Sequence, residues 1–227
     1  MMNRNEENKS KYKIEFLGEK FSKDLLSYKV IVIGRYGVGK TTIIGKLMNK
    51  EIEGEYAPTL SIDTKNIQIK VNDKIIQIQI WDCCGNDEFA LNTPNLFKNT
   101  SIAILVYAIN DKQSDIDLEK WRNMLKKISY ESIIFLIGNK SDLEEEREVT
   151  LEDVETFKNK YDDDIKISFE TSALNGSNIG KLLENIAITI YEKDKKLANE
   201  VDNGLKKTIT ISKEDLTKKK GKKKKFC

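Results

Sequence analysis

Gly34-Arg35-Tyr36-Gly37-Val38-Gly39-Lys40-Thr41 stands between an apolar run, Val30-Ile31-Val32-Ile33, and a stretch with helical character, Thr42-Ile43-Ile44-Gly45-Lys46-Leu47-Met48. A buried strand, a glycine-rich turn and a helix opening on Lys-Thr are the context that a phosphate-binding loop requires. The glycines let the chain curl so that successive N–H groups point inward at phosphate oxygens. The helix N-terminus adds its partial positive charge. Gly34, Arg35, Tyr36, Gly37, Val38, Gly39, Lys40, Thr41 and Thr42 are therefore expected around a nucleotide. Lys40 would reach the outer phosphates, and the Thr41 hydroxyl would ligate Mg2+.

Four short stretches follow in an order that completes one site. Thr59, in Tyr56-Ala57-Pro58-Thr59, is placed to reach the Mg2+ beside the outermost phosphate. Asp82 closes a strand in Trp81-Asp82-Cys83-Cys84-Gly85, where a carboxylate can hold Mg2+ directly or through water. Gly85 lets a backbone N–H approach the terminal phosphate. In Asn139-Lys140-Ser141-Asp142 the carboxylate accepts two N–H bonds from guanine's N1 and exocyclic amine. Adenine lacks that donor pair, so Asp142 supplies base choice. Asn139 and Lys140 buttress the site, the lysine stem covering one face of the base. In Thr171-Ser172-Ala173-Leu174 the N–H of Ala173 is placed to read guanine's O6, with Ser172 and Leu174 beside it.

Around these motifs the chain alternates strand-like and helix-like segments over residues 28–196, the pattern of an α/β sheet fold. Strands are expected over 30–33, 65–71, 75–81, 102–107, 133–137 and 165–169, with a tight hairpin at Asn72-Asp73 and helices near 115–129, 150–161 and 177–196. Residues 1–27 read as an N-terminal extension. Their one apolar run, Ile14-Glu15-Phe16-Leu17, echoes the next strand sixteen residues on, but Lys23 and Asp24 stand where the loop has Gly39 and Lys40, so the echo could not cradle phosphate. From 197 to 227 the chain turns polar and reads as a flexible tether.

Charge sharpens this division. The formal net charge of +2 includes seven lysines within 218–225, so the rest of the chain carries −5. The basic character is thus a tail patch rather than a folded face of the kind a nucleic-acid binder spreads, and no nucleic acid is expected as partner. No apolar run reaches the ~18–20 residues of a membrane span. The N-terminus carries no signal-type apolar segment, which points to the cytosol. Of three cysteines, Cys83 and Cys84 are adjacent and Cys227 is last, which is no disulfide framework.

These residues resemble the Ras superfamily of small GTP-binding proteins and, within it, the Rab family. The resemblance covers about 28–196 and rests on the phosphate loop together with Ile78-Gln79-Ile80-Trp81-Asp82, Tyr107-Ala108-Ile109-Asn110, Gly138-Asn139-Lys140-Ser141-Asp142-Leu143 and Glu170-Thr171-Ser172-Ala173. It implies a P-loop NTPase fold of the small-GTPase type, with a six-stranded, mostly parallel sheet flanked by helices. It implies a GTP/GDP switch in vesicle traffic that hydrolyses GTP with Mg2+, with Lys40, Thr59, Gly85 and Asn86 at the reacting end. Residues 51–64 and 83–98 would order around the γ-phosphate and meet effectors, an exchange factor and an activating protein.

Departures from the family pattern bear on rate. Asn86 stands where a water-positioning Gln is usual and is one methylene shorter. Tyr36 replaces a small residue and would crowd the γ-phosphate and the slot for a partner's arginine. Slow intrinsic turnover is expected, with a scarcely hydrolysing GTP-binding scaffold as the alternative; a P-loop kinase or ATPase is the rival that Asp142 opposes. Ile52 replaces a ring beside guanine, and Cys83-Cys84 replace Thr-Ala as small residues that fit. Cys227 behind the lysines looks like a prenylation site, although Lys-Phe-Cys is neither a double-cysteine ending nor a C-a-a-X box. A prenyl-binding chaperone, an anionic membrane surface and the cytoplasmic face of an intracellular membrane follow from that reading.

Overall fold

A computed structural model describes residues 11–49, 62–85 and 93–199. Its strands are β1 (Ile14–Glu19), β2 (Ser27–Ile33), β3 (Asp63–Val71), β4 (Lys74–Asp82), β5 (Thr100–Ala108), β6 (Ile133–Asn139) and β7 (Ile165–Glu170), in the order β1-β3-β4-β2-β5-β6-β7. The pairs β2–β4, β2–β5, β5–β6 and β6–β7 are parallel, while β1–β3 and β3–β4 are antiparallel. The sheet is therefore mostly parallel, as expected, but it has seven strands rather than six. The added strand is the apolar run of the N-terminal extension. Ile14 pairs with Val71 and Phe16 with Ile69, and a bulge between Phe16 and Gly18 carries the pairing on to Ile67.

The central strands are rich in β-branched residues, and all nine residues of β5 are buried. Continuous burial of this kind marks a parallel strand covered on both faces. On one face Ile31, Ile33, Ala103, Leu105, Ile134 and Leu136 join Leu118, Trp121 and Leu125 in a single core cluster. Those last three recur at helical spacing along α3 (Leu118–Ile128), which explains why that segment is an amphipathic helix. The alternate residues Val30, Val32, Ile102 and Ile104 are fully buried as well. Each buried isoleucine or valine contributes about 1.5–3 kcal/mol relative to an exposed one.

The remaining helices are α1 (Lys40–Leu47), α2 (Lys112–Ile116) and α4 (Leu151–Lys160). Thr150 opens α4 with a reciprocal capping box to Asp153. Two compact units divide the chain at Ile188/Thr189; residues 179–188 are the last helix of the first, and the second is helical over 189–199.

The expected Asn72-Asp73 hairpin is present, with Asn72 at φ 55°. The start of β1 pins this turn. Lys13 N–H donates to Asn72 Oδ1 at 2.9 Å, and Asn72 N–H donates to Lys13 O at 2.7 Å. Beyond β1, a short connection anchors on buried Gln77. The Ser22 N–H donates to Gln77 Oε1 at 2.7 Å, and Gln77 Nε2 donates to Ser22 O at 3.1 Å. The amide thus imitates a strand partner for a piece of chain that is not in the sheet.

Because β2, β4, β6 and β7 run the same way, their C-terminal ends share one edge. Gly34, Asp82, Asn139 and Thr171 therefore emerge side by side, beyond the carboxyl ends of the strands where open α/β sheets bind ligands.

Candidate functional site

The phosphate loop joins β2 to α1 as expected. Gly39 caps α1 with φ 94°, and a Cβ built there would come within 2.3 Å of Asn139 Nδ2. Both the left-handed backbone and the close approach exclude larger residues. Lys40 is buried inside the turn. Its Nζ donates to the carbonyls of Gly34 at 2.9 Å and Arg35 at 2.8 Å. Burial pulls this ammonium down to about 8, and the nearby Asp82 carboxylate opposes the shift. Thr41 and Gly37 are exposed, Thr42 is half-buried, and Val38 is fully buried with its carbonyl turned toward Asn139.

Asp82 ends β4 with its side chain buried and hydrogen-bonded to Thr41. Burial raises its pKa, while Thr41 and Lys40 pull the other way. Its Oδ1 finds no hydrogen-bond partner. A buried carboxylate oxygen left over beside a threonine hydroxyl fits a hard cation that takes few protein ligands. Among the described residues no three carboxylate, imidazole or thiol groups gather into a metal cage. A cation held by Asp82 and Thr41 would therefore draw its other ligands from phosphate and water, which suits Mg2+. Thr59, the third expected ligand, lies outside the described residues, as do Asn86, Ile52 and Cys227.

Gly85 brings the end of β4 onto the phosphate loop. A Cβ there would lie 2.2 Å from Tyr36 N and 2.4 Å from Tyr36 Cα, so only glycine permits this packing. Cys83 and Cys84 are buried free thiols, and burial pushes the Cys83 thiol up, away from thiolate chemistry. They serve as small packed residues, in keeping with the sequence reading.

At the other end, buried Asn139 ties three motifs together. Its Nδ2 donates to Val38 O at 2.9 Å, and its Oδ1 accepts from Ala173 N–H at 3.1 Å and from Thr171 Oγ1 at 3.3 Å. The Ala173 amide that the sequence assigns to guanine's O6 is thus engaged with Asn139 in this arrangement. The Asp142 carboxylate accepts a short hydrogen bond from the Ser172 hydroxyl, which itself accepts from Asn175 N–H at 3.1 Å. Asp142 is otherwise open to solvent, with half-buried Lys140, at φ 67°, and exposed Leu174 in the loops on either side.

Two placements lie beyond what the motifs indicate. Arg35 turns its side chain out of the loop to Asp117, Nη1 donating to Oδ2 at 2.8 Å. The Tyr36 ring packs on that guanidinium, 4.7 Å from ring centroid to guanidinium carbon. No local pattern signals a pair 82 positions apart; the hint available is an acidic residue at each of 111, 115 and 117 opposite a basic phosphate loop.

The glycine-rich loop around Lys40, the Asp82–Thr41 pair and the Asp142 carboxylate lie at one edge of the sheet, where Asn139 ties the loop to Thr171 and Ala173. A sequence model of the Ras family matches residues 29–192. The chain belongs to the Ras family. The Ras-related protein Rab-11C of Dictyostelium discoideum is 32% identical over 166 residues, 72% of this chain and 72% of that protein. Ras-related protein Rab-11B of the same organism is 31% identical over 179 residues, 77% of this chain and 80% of its own length. This Ras-family chain is thus Rab-like, and its family is one of GTP-binding GTPases that meet regulators and effectors. No described helix is long and apolar enough to cross a membrane.

Proposed function

We propose that this Rab-like chain is a GTP/GDP switch of vesicle traffic that turns over GTP slowly and works at the cytoplasmic face of an intracellular membrane. The observation that carries the reading is Asn139, which binds the phosphate loop of Lys40 to the loop of Thr171 and Ala173, whose Ser172 in turn bonds Asp142. Lys40 neutralises outer phosphate charge, Gly85 offers its N–H to the terminal phosphate, and Asp142 accepts from N1–H and the N2 amine of guanine. Mg2+, held by Thr41 and Asp82 with Thr59, would offset the charge that builds on the phosphate oxygens.

Slow turnover follows from Asn86. Its amide stops about 1.5 Å short of where a glutamine amide would hold water, and a misplacement of ~1 Å can cost ~10²-fold in rate. Tyr36 adds a ring at the γ-phosphate end. Together they also favour a second reading, a GTP-loaded scaffold that recruits effectors and scarcely hydrolyses. Phosphate release followed over hours separates the two. Residues 51–64 and 83–98 are the surfaces for effectors, exchange factor and activating protein. In the tail, prenylated Cys227 with seven lysines, at ~1 kcal/mol each near an anionic leaflet, provides the two signals that stable anchoring needs. A prenyl-binding chaperone would carry that lipid through the cytosol.

The deciding experiment is calorimetry in magnesium buffer with GDP, GTP, ADP and ATP. Guanine nucleotides should bind and adenine nucleotides should not, and Asp142→Ala should weaken GDP about 10- to 100-fold. Equal heats for GDP and ADP would refute the reading. Loss of membrane partitioning in Cys227→Ser tests the anchor separately.

A further inference from the structure

Arg35 lies inside the phosphate loop, yet its side chain serves the far side of the site. Nη1 donates to Asp117 Oδ2 at 2.8 Å, and Nε stands 3.8 Å from Asp111 Oδ2. Gln113 Nε2 donates to Asp117 Oδ1 at 2.9 Å, so both oxygens of Asp117 are engaged. The Arg35 and Asp117 side chains are only 27% and 15% exposed, and a pair so shielded is held more firmly than an open surface pair.

This guanidinium carries Tyr36. The ring stacks on it, and Nη2 donates to the phenol oxygen at 3.3 Å. A tyrosine 65% exposed would ordinarily change rotamer freely. Here its backbone lies under Gly85 and its ring is tied to the α2–α3 junction. Tyr36 is thus held at two points, its backbone against Gly85 and its ring, through Arg35, at the start of α3.

We propose that Asp117 is a positioning residue for GTP turnover: by holding Arg35 it fixes the Tyr36 ring across the mouth beside Gly85 and keeps turnover slow. Asp117 belongs to none of the nucleotide-binding motifs and acts through two intermediaries. The inference rests on the chain being a working GTPase.

Single-turnover phosphate release from the full-length, GTP-loaded protein tests it. The forms compared are wild type, Asp117→Asn, Tyr36→Ser and the double variant, with Arg35→Gln cutting the same pair from its other side. Asp117→Asn and Arg35→Gln should each speed release about 3- to 10-fold, the range of a modest coupling between touching residues. Tyr36→Ser should speed it at least as much. In the Tyr36→Ser background the Asp117 substitution should change nothing, a result that general loosening of the fold would not give. An equal effect with and without the ring would overturn the proposal, as would no effect with the ring present. GDP affinity, measured in the same samples, keeps the two failures apart. Tight GDP with additive rates removes the latch alone, whereas no GDP binding by the wild type removes the GTPase reading and the latch with it.

Discussion

Asn139 shows how much one side chain can hold. Its amide satisfies a buried carbonyl of the phosphate loop and a buried N–H of the last loop, and both lose their partner on truncation. Leaving each unsatisfied costs about 1–3 kcal/mol. Asn139→Ala should therefore destabilise the chain by roughly 2–4 kcal/mol. For a domain of this size that is a fall in Tm of several degrees, at ~2–4 °C per kcal/mol, readable by calorimetry. It should also weaken GDP, since phosphate and base ends lose their common tie. A fall in stability with GDP affinity unchanged would separate the structural role from the functional one. Residues of this kind were partly legible. The Asn-Lys-x-Asp spacing marks a loop at the end of β6 beside the last loop, because strand ends fix which side chains emerge together. The commitment of the Ala173 amide was not, because it depends on a contact 34 positions away in the chain.

At the scale of elements, strands with long β-branched runs could be read directly. Ile102 to Tyr107 is a strand because six consecutive apolar residues, three of them β-branched, suit a parallel strand buried on both faces. β1 was harder. Its apolar run is four residues long, its strand partner begins more than forty residues later, and its bulge at Gly18 breaks the alternation. Its ladder to β3 is secured at one end by Lys13 on Asn72 and, past the other end, by Ser22 on Gln77. Replacing Gln77 by Leu would strip Ser22 of both main-chain partners and Gln68 Nε2 of its acceptor. Hydrogen exchange should then quicken for Ile14–Glu19 while β5 stays protected, since local opening draws on the least anchored element.

The capping box of α4 gives a second test at this scale. Asp153 accepts from Thr150 N–H at 2.8 Å and pairs with Lys112 at 2.7 Å. Lys112 first, then Thr150, holds this carboxyl at about 2, below its ordinary 3.8. A lowered folded-state pKa contributes stability that is present above pH 4 and fades as the pH falls toward 2. The Asp153→Asn variant should lose that part of the acid limb. Denaturant midpoints of the two proteins should differ at pH 6 and converge near pH 2.

For the whole molecule, nucleotide and Mg2+ act through mass action. A ligand that binds only the folded state at 1,000 times its Kd stabilises by about 4 kcal/mol. In Tm that is roughly 8–16 °C for a domain of this size. EDTA should remove much of this shift with GDP still present, because Asp82 Oδ1 would then face phosphate unscreened. A melting curve indifferent to EDTA would argue against a cation at Asp82 and Thr41. The global frame was the most legible level of all. Alternating segments forecast an α/β sheet with its motifs at one edge, since the carboxyl ends of parallel strands must gather. Long-range pairings such as Arg35 with Asp117 leave no trace in local pattern, because the fold alone brings residues 82 positions apart together.

The seventh strand also changes what the protein shows to its neighbours. Without it, the nine residues of β3 would offer an unbroken row of amide and carbonyl groups along the flank of the sheet. Such a flank is a template on which crowded chains stack edge to edge. β1 replaces it with a six-residue margin, kinked at Gly18 and bearing Glu15 and Glu19. The amino-terminal segment thus doubles as insulation, and variants that loosen it should be the first to aggregate at high concentration.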